Sequence, residues 1–85
     1  MNPEIKKNSE ELIEKIVENI EMFFQTEEPI EKKYDNYTIF IDFNEEDSFI
    51  EFDYELTDKT KFDVDLEFVM DGVFEQIGTE EDDEE

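Results

Sequence analysis

"KFDVDLEFVM", Lys61 to Met70, alternates along its length. Phe62, Val64, Leu66, Phe68 and Met70 fall on one side, and Lys61, Asp63, Asp65, Glu67 and Val69 on the other. Strand side chains alternate faces, so the stretch predicts a strand with one apolar face and a row of carboxylates on the other. The stretch before it, "SFIEFDYEL" (Ser48–Leu56), sets Ile50, Phe52, Tyr54 and Leu56 against Glu51, Asp53 and Glu55. "NYTIFIDFN" (Asn36–Asn44) sets Tyr37, Ile39, Ile41 and Phe43 against Thr38, Phe40 and Asp42. Three strands in succession, joined at "NEEDS" (Asn44–Ser48) and "TDKT" (Thr57–Thr60), read as an antiparallel meander.

Helices flank the meander. In "NSEELIEKIVENIEMFF", Leu12, Ile13, Ile16, Val17, Ile20, Phe23 and Phe24 recur at spacings of three and four, which is an amphipathic helix. Asn8 with Glu11, or Ser9 alone, is the expected N-cap. Glu11, Glu14, Glu18 and Glu21 form a second, acidic stripe. Thr26 to Lys33, with Pro29, reads as a connection, because proline does not continue a helix. Met70, Val73, Phe74 and Ile77 return to helical spacing, with Asp71 as cap and Gly78 as stop. The expected fold is α+β, in the order α-β-β-β-α, with both helices on the apolar face of the sheet. Residues 1–78 form one acidic domain, and "TEEDDEE" (Thr79–Glu85) reads as a disordered acidic tail.

Register follows from parity, since cross-strand partners share a face. A four-residue loop pairs Phe43 with Ile50, Ile41 with Phe52 and Ile39 with Tyr54. A three-residue loop then pairs Leu56 with Phe62, Tyr54 with Val64 and Phe52 with Leu66. The outer face becomes the rows Thr38–Glu55–Asp63, Phe40–Asp53–Asp65 and Asp42–Glu51–Glu67. Two unit charges about 5 Å apart repel by roughly 0.8 kcal/mol even in water. A sheet built only for solubility would intersperse lysines with these acids. Such a face is expected to serve a partner.

Composition narrows the partner. The 85 residues carry 29 acidic side chains and a formal net charge of −22, with no His, Cys or Trp. Without His or Cys the common acid–base and thiol routes to catalysis are closed, so no enzyme, catalytic residue or cofactor is expected. "DVDLE" fans its carboxylates along a strand instead of converging them, and no EF-hand spacing is present, so no metal site is expected. Absence of cysteine suits the cytoplasm, and no run approaches membrane-spanning length. The helix–meander–helix order is similar to that of double-stranded-RNA-binding domains. Those hold phosphates with basic residues where this chain is acidic, which excludes direct nucleic-acid binding.

Same-face carboxylates along a strand repeat every ~6.6 Å, and rows lie ~4.8 Å apart. That pitch approaches the spacing of phosphates on a nucleic-acid backbone. With its acidic α-β-β-β-α pattern and "EEDSFIEFDYEL…KFDVDLEF" as its face, the chain resembles the DNA-mimic inhibitors encoded by bacteriophages. Among them it is most similar to those that block the bacterial nucleoid protein HU. The resemblance implies that the acidic surface occupies the DNA-binding surface of a basic host protein in the bacterial cytoplasm and displaces DNA. Inhibitors of uracil-DNA glycosylase, of CRISPR effectors and of restriction enzymes share the same character, and a general acidic adaptor is the further alternative.

The residues expected to bind the partner are Asp42, Glu51, Asp53, Glu55, Asp63, Asp65 and Glu67, with Glu45, Glu46 and Asp47 of the hairpin. Glu11, Glu14, Glu18 and Glu21 are secondary, with Phe40 and Phe49 (and Val69 beside them) supplying apolar contact. The chain is expected to act as a monomer or a homodimer.

Overall fold

A computed structural model describes residues 2–77. Gly78, expected to stop the last helix, and the acidic tail from Thr79 lie outside the described residues. The element order is α1 (Pro3–Thr26), β1 (Ile30–Lys33), β2 (Tyr37–Asn44), β3 (Phe49–Leu56) and α2 (Leu66–Ile77). The α-β-β-β-α order is therefore present, with two of the three expected strands as β2 and β3 and the third replaced by β1.

α1 buries most of the predicted stripe, with Leu12, Ile13, Ile16, Ile20 and Phe23 in the core and Val17 half-buried, while Phe24, at the stripe's end, is exposed. It starts earlier than Asn8. The Asn2 side chain accepts the N–H groups of Glu4 at 2.7 Å and Ile5 at 3.4 Å, and Pro3 takes the first turn. Asn followed by Pro is a strong start, because Pro at this position has no donor to lose and its φ already suits the helix. At the other end Glu27 adopts the left-handed conformation, φ 58°, and its N–H closes on the Phe23 carbonyl at 2.7 Å.

The residues after Pro29 form a strand, not a connection. β1 pairs antiparallel with β2, matching Ile30 to Ile41, Glu31 to Phe40, Lys32 to Ile39 and Lys33 to Thr38. β2 pairs with β3 in the register expected, Phe43 to Ile50, Ile41 to Phe52 and Ile39 to Tyr54. The sheet order is β1-β2-β3, so β3 is an edge. Tyr37, Ile39 and Ile41 are buried on the face that α1 covers. Phe52, on the same face of β3, meets Phe74 of α2 edge-on with ring centroids 5.7 Å apart. Both helices thus lie on one side, and the opposite face of the sheet is open.

Lys61–Met70 is not a strand. After β3 the Asp58 carboxylate accepts the Thr60 N–H at 3.0 Å and the Thr60 hydroxyl at 2.6 Å. Its carbonyl accepts the N–H groups of Lys61 and Phe62, each at 3.0 Å. That turn directs the chain beneath the sheet, where Phe62 is buried with its ring 5.3 Å from that of Tyr37. α2 then begins at Leu66, capped by Asp65, whose Oδ1 accepts the Phe68 N–H at 3.0 Å. Asp71, the expected cap, lies inside the helix. Val69 and Val73, one turn apart, are fully buried, so Val69 is core and not an outward contact.

Electrostatics favours this outcome. A third strand at Lys61–Met70 would set Asp63, Asp65 and Glu67 against Glu55, Asp53 and Glu51, at roughly 0.8 kcal/mol of repulsion for each pair. As β1, the "IEKK" stretch brings two lysines into the sheet instead. Of the Phe62–Met70 alternation, Phe62 is buried and Val64, Phe68 and Met70 are half-buried by this route, while Leu66 stays exposed.

α1 and α2 approach closely at Gly72. A Cβ there would overlap the end of the Ile13 side chain and come within 3.0 Å of its Cγ1. The buried Asn19 also holds the core together: its amide donates to the Lys15 carbonyl at 2.8 Å and to the Tyr34 hydroxyl at 3.0 Å.

Candidate functional site

The open face of the sheet carries its acids mainly on β3. Glu51, Asp53 and Glu55 are exposed there, at every second residue. Across β2 they face Asp42, Phe40 and Thr38, and β1 adds Glu31 beside Phe40 and Lys33 beside Thr38. Of the opposed carboxylate pairs expected from the sequence, Asp42–Glu51 is the one the structure forms. Phe40, half-buried, sits among these charges.

Backbone and amide groups aim the carboxylates. Asp42 Oδ1 accepts the Phe43 N–H at 2.7 Å, and Asp53 Oδ1 accepts the Tyr54 N–H at 2.7 Å. Asn44 orders the hairpin that follows. Its Oδ1 accepts the Asp47 N–H at 3.1 Å, and its amide donates to Glu51 Oε2 at 2.9 Å and to Asp47 Oδ2 at 3.5 Å. Ser48 closes the turn with φ 59° and an N–H bonded to the Asn44 carbonyl at 2.7 Å. Each of these bonds offsets part of the like-charge crowding without adding a cation. Lys15–Glu18, at 3.7 Å on α1, is the ion pair among the described residues, and it lies on the other side of the molecule. The hairpin acids Glu45, Glu46 and Asp47 are exposed at the end of β3 where Glu51 sits.

The remaining expected residues stand elsewhere. Asp63 gives its carbonyl to the Asn8 amide at 3.1 Å, next to the first turns of α1. Asp65 spends its side chain on the helix cap, and its N–H donates to the buried Ser9 hydroxyl at 3.0 Å. Glu67 lies in the first turn of α2, where a negative charge suits the helix dipole. All three belong to the helix side of the sheet. Together with Asp53, Asp63 and Asp65 surround Tyr54 with negative charge. Burial, followed by that charge, raises the Tyr54 phenol above its ordinary pKa.

The α1 stripe is on the helix side as well. Glu11, exposed like Glu14, Glu18 and Glu21, differs in accepting the buried Tyr37 hydroxyl at 2.9 Å. Phe49 is exposed at the start of β3, as expected, with 47 % of its surface open. The list drawn from sequence therefore divides. Asp42, Glu51, Asp53, Glu55 and the hairpin acids share one surface, and the others do not.

Glu31, Lys33 and Asn44 belong to the face and were not anticipated. For the first two the sequence carried almost no signal, since Ile30–Glu31–Lys32–Lys33 holds a single apolar residue. For Asn44 the signal was an amide three residues ahead of Asp47, a spacing typical of turn-forming side chains. Among the described residues no group of three or more carboxylates converges well enough to hold a metal ion. No helix among them is long and apolar enough to cross a membrane. No protein-family model, curated protein or solved structure matches the chain.

Proposed function

We propose that the protein is a non-enzymatic DNA mimic that occupies the DNA-binding surface of a basic cytoplasmic protein, with an HU-like nucleoid protein as first choice. The observation that carries this reading is the open face of β3. Glu51, Asp53 and Glu55 stand exposed along one strand, and the hairpin acids continue beyond Glu51. Same-face residues on a strand are ~6.6 Å apart, so the acids make a single file of charge at about the pitch of phosphates.

The form of the mimic differs from the grid expected of three acidic strands. One file of carboxylates, flanked by Asp42 and Glu31, corresponds to one backbone of a duplex and not to both. Phe40 and Phe49 beside the file add apolar contact of a kind that DNA offers through its sugars. Lysine and arginine of the target would make charge-assisted hydrogen bonds to these acids. Association would be steered at long range and weakened by salt. Uracil-DNA glycosylase and CRISPR or restriction effectors are targets of the same chemical class.

A gel shift with purified HU and duplex DNA tests the proposal. The parent protein is expected to release DNA stoichiometrically at low salt. Glu51→Lys/Asp53→Lys is expected to fail, while Glu14→Lys/Glu21→Lys on α1, with the same change of charge, still competes. Equal competition by all three would show that bulk charge, and not the β3 face, does the work.

A further inference from the structure

The free edge of β3 has its own chemistry. β3 is the last strand of the sheet, and no backbone hydrogen bond among the described residues reaches its outer side. The Tyr54 N–H is bonded to the Asp53 side chain at 2.7 Å, not to β2. In an antiparallel ladder the groups of every second residue point the same way, so those of Ile50, Phe52, Tyr54 and Leu56 face outward. Four residues of the edge thus turn backbone groups outward, and of their donors the Tyr54 N–H is already held by Asp53 Oδ1.

Edges of this length are ordinarily blunted by proline, lysine, a bulge or a covering helix. Here the two flanks of the edge differ. The outer flank holds Glu51, Asp53 and Glu55. On the inner flank Ile50 and Phe52 are half-buried beside Met70 and Phe74, and Phe74 is 55 % exposed. A concavity of about 460 Å³ lies along the Phe49–Asp53 part of this strand, lined also by Met70 and Phe74.

We infer that this edge takes an extended basic segment of a partner as a fourth strand. The occupant is a peptide whose alternate residues are Lys or Arg, with apolar residues between them. Its cations would lie against Glu51, Asp53 and Glu55, its apolar side chains against Phe52, Met70 and Phe74, and its backbone against that of β3. Charge selects this occupant over a second copy of the chain. A copy that continued the sheet would bring the same three acids opposite its partner's, and like charges directly opposite destabilise a sheet. The inference rests on the acidic face being a binding surface, and it adds that the target offers a flexible arm to it.

The test is a titration of the full-length protein with an end-blocked peptide alternating Lys and Val and matching β3 in length. A twin peptide N-methylated at alternate residues keeps every charge and side chain but removes the donors that face the edge. The parent peptide is expected to bind at least tenfold more tightly, and to slow amide exchange at Ile50 and Phe52 selectively. Equal binding by the two peptides, or protection spread over α1, overturns the inference. So does a dimer that protects the same amides without peptide. If the peptide docks while HU keeps its DNA, the edge inference stands and the HU-type reading falls.

Discussion

Ser9 and Asp65 join the two helices through one hydroxyl. Ser9 Oγ donates to the Ile5 carbonyl at 2.7 Å and accepts the Asp65 N–H at 3.0 Å, and Ser9 is fully buried. The same Asp65 caps α2 with its side chain. Removal of the hydroxyl leaves the Asp65 donor without its partner at the first turn of α2. An unmet hydrogen bond of this kind costs ~1–3 kcal/mol. Ser9→Ala is expected to lower the urea midpoint accordingly, and Asp65→Ala to cost ~1 kcal/mol for the lost cap. Because both act on one junction, the double variant should cost less than the two changes summed, which a double-mutant cycle measures.

The contact between Gly72 and Ile13 gives a second cycle. Gly72→Ala gains helix propensity but drives a methyl group into Ile13. Overpacking of this sort typically costs ~1–3 kcal/mol. Ile13→Val removes the δ-methyl group that the new Cβ would meet. Urea unfolding is expected to show Gly72→Ala destabilised in the parent and neutral or stabilising in the Ile13→Val background.

Tyr37 predicts the alkaline behaviour. Burial, then its bond to Glu11 and that carboxylate's charge, raise the phenol well above its ordinary value. A phenol raised in the folded state contributes stability fully below its unfolded pKa, about 10, and loses it progressively as pH rises beyond that. Urea midpoints are expected to hold up to about pH 9.5 and to fall steeply above pH 10. Tyr37→Phe should start lower, having lost the hydrogen bond to Glu11, and decline less steeply. Matching slopes for the two proteins would place the alkaline sensitivity at another group.

Net charge predicts the response to salt. With a formal charge of −22, self-repulsion opposes the compact state, and the described residues form little ion pairing to compensate. Screening shortens the reach of charge from ~30 Å at 0.01 M ionic strength to a few ångströms at 1 M. The melting temperature is expected to rise by about 5 °C or more between these limits, consistent with a gain of ~1 kcal/mol in a domain of this size. Sodium chloride and choline chloride should act alike, since no specific cation is involved.

Much of this was legible in the sequence because period and parity agree with burial. Ile39, Ile41, Phe52 and Tyr54 fixed both the faces and the pairing of β2 with β3, and Leu12 to Phe23 fixed the buried side of α1. Lys61–Met70 misled because its apolar residues satisfy two periods at once. The alternation Phe62–Val64–Leu66–Phe68–Met70 suits a strand, whereas Val69 and Val73 suit a helix. The polar residues decided between them: Asp58 and Thr60 make a turn, and Asp65 makes a cap. β1 was hidden by its length, as four residues with two lysines leave almost no apolar pattern. The candidate face inherited both effects. Asp42, Glu51, Asp53 and Glu55 lay on strands that were read correctly, while Asp63, Asp65 and Glu67 left with the strand that became a helix.

The uncapped border of β3 also bears on colloidal behaviour. What keeps one molecule from zipping onto the next is electrostatic, since neither proline nor bulge interrupts Phe49–Leu56. Acidification that neutralises the carboxylates would leave "FIEFDYEL" as an aromatic-rich template with no remaining gatekeeper. Incubation near pH 3 is expected to yield thioflavin-positive fibrils, and Phe52→Lys to suppress them. The charge that would draw in a cationic guest at neutral pH would thus be the same charge that keeps the protein from amyloid.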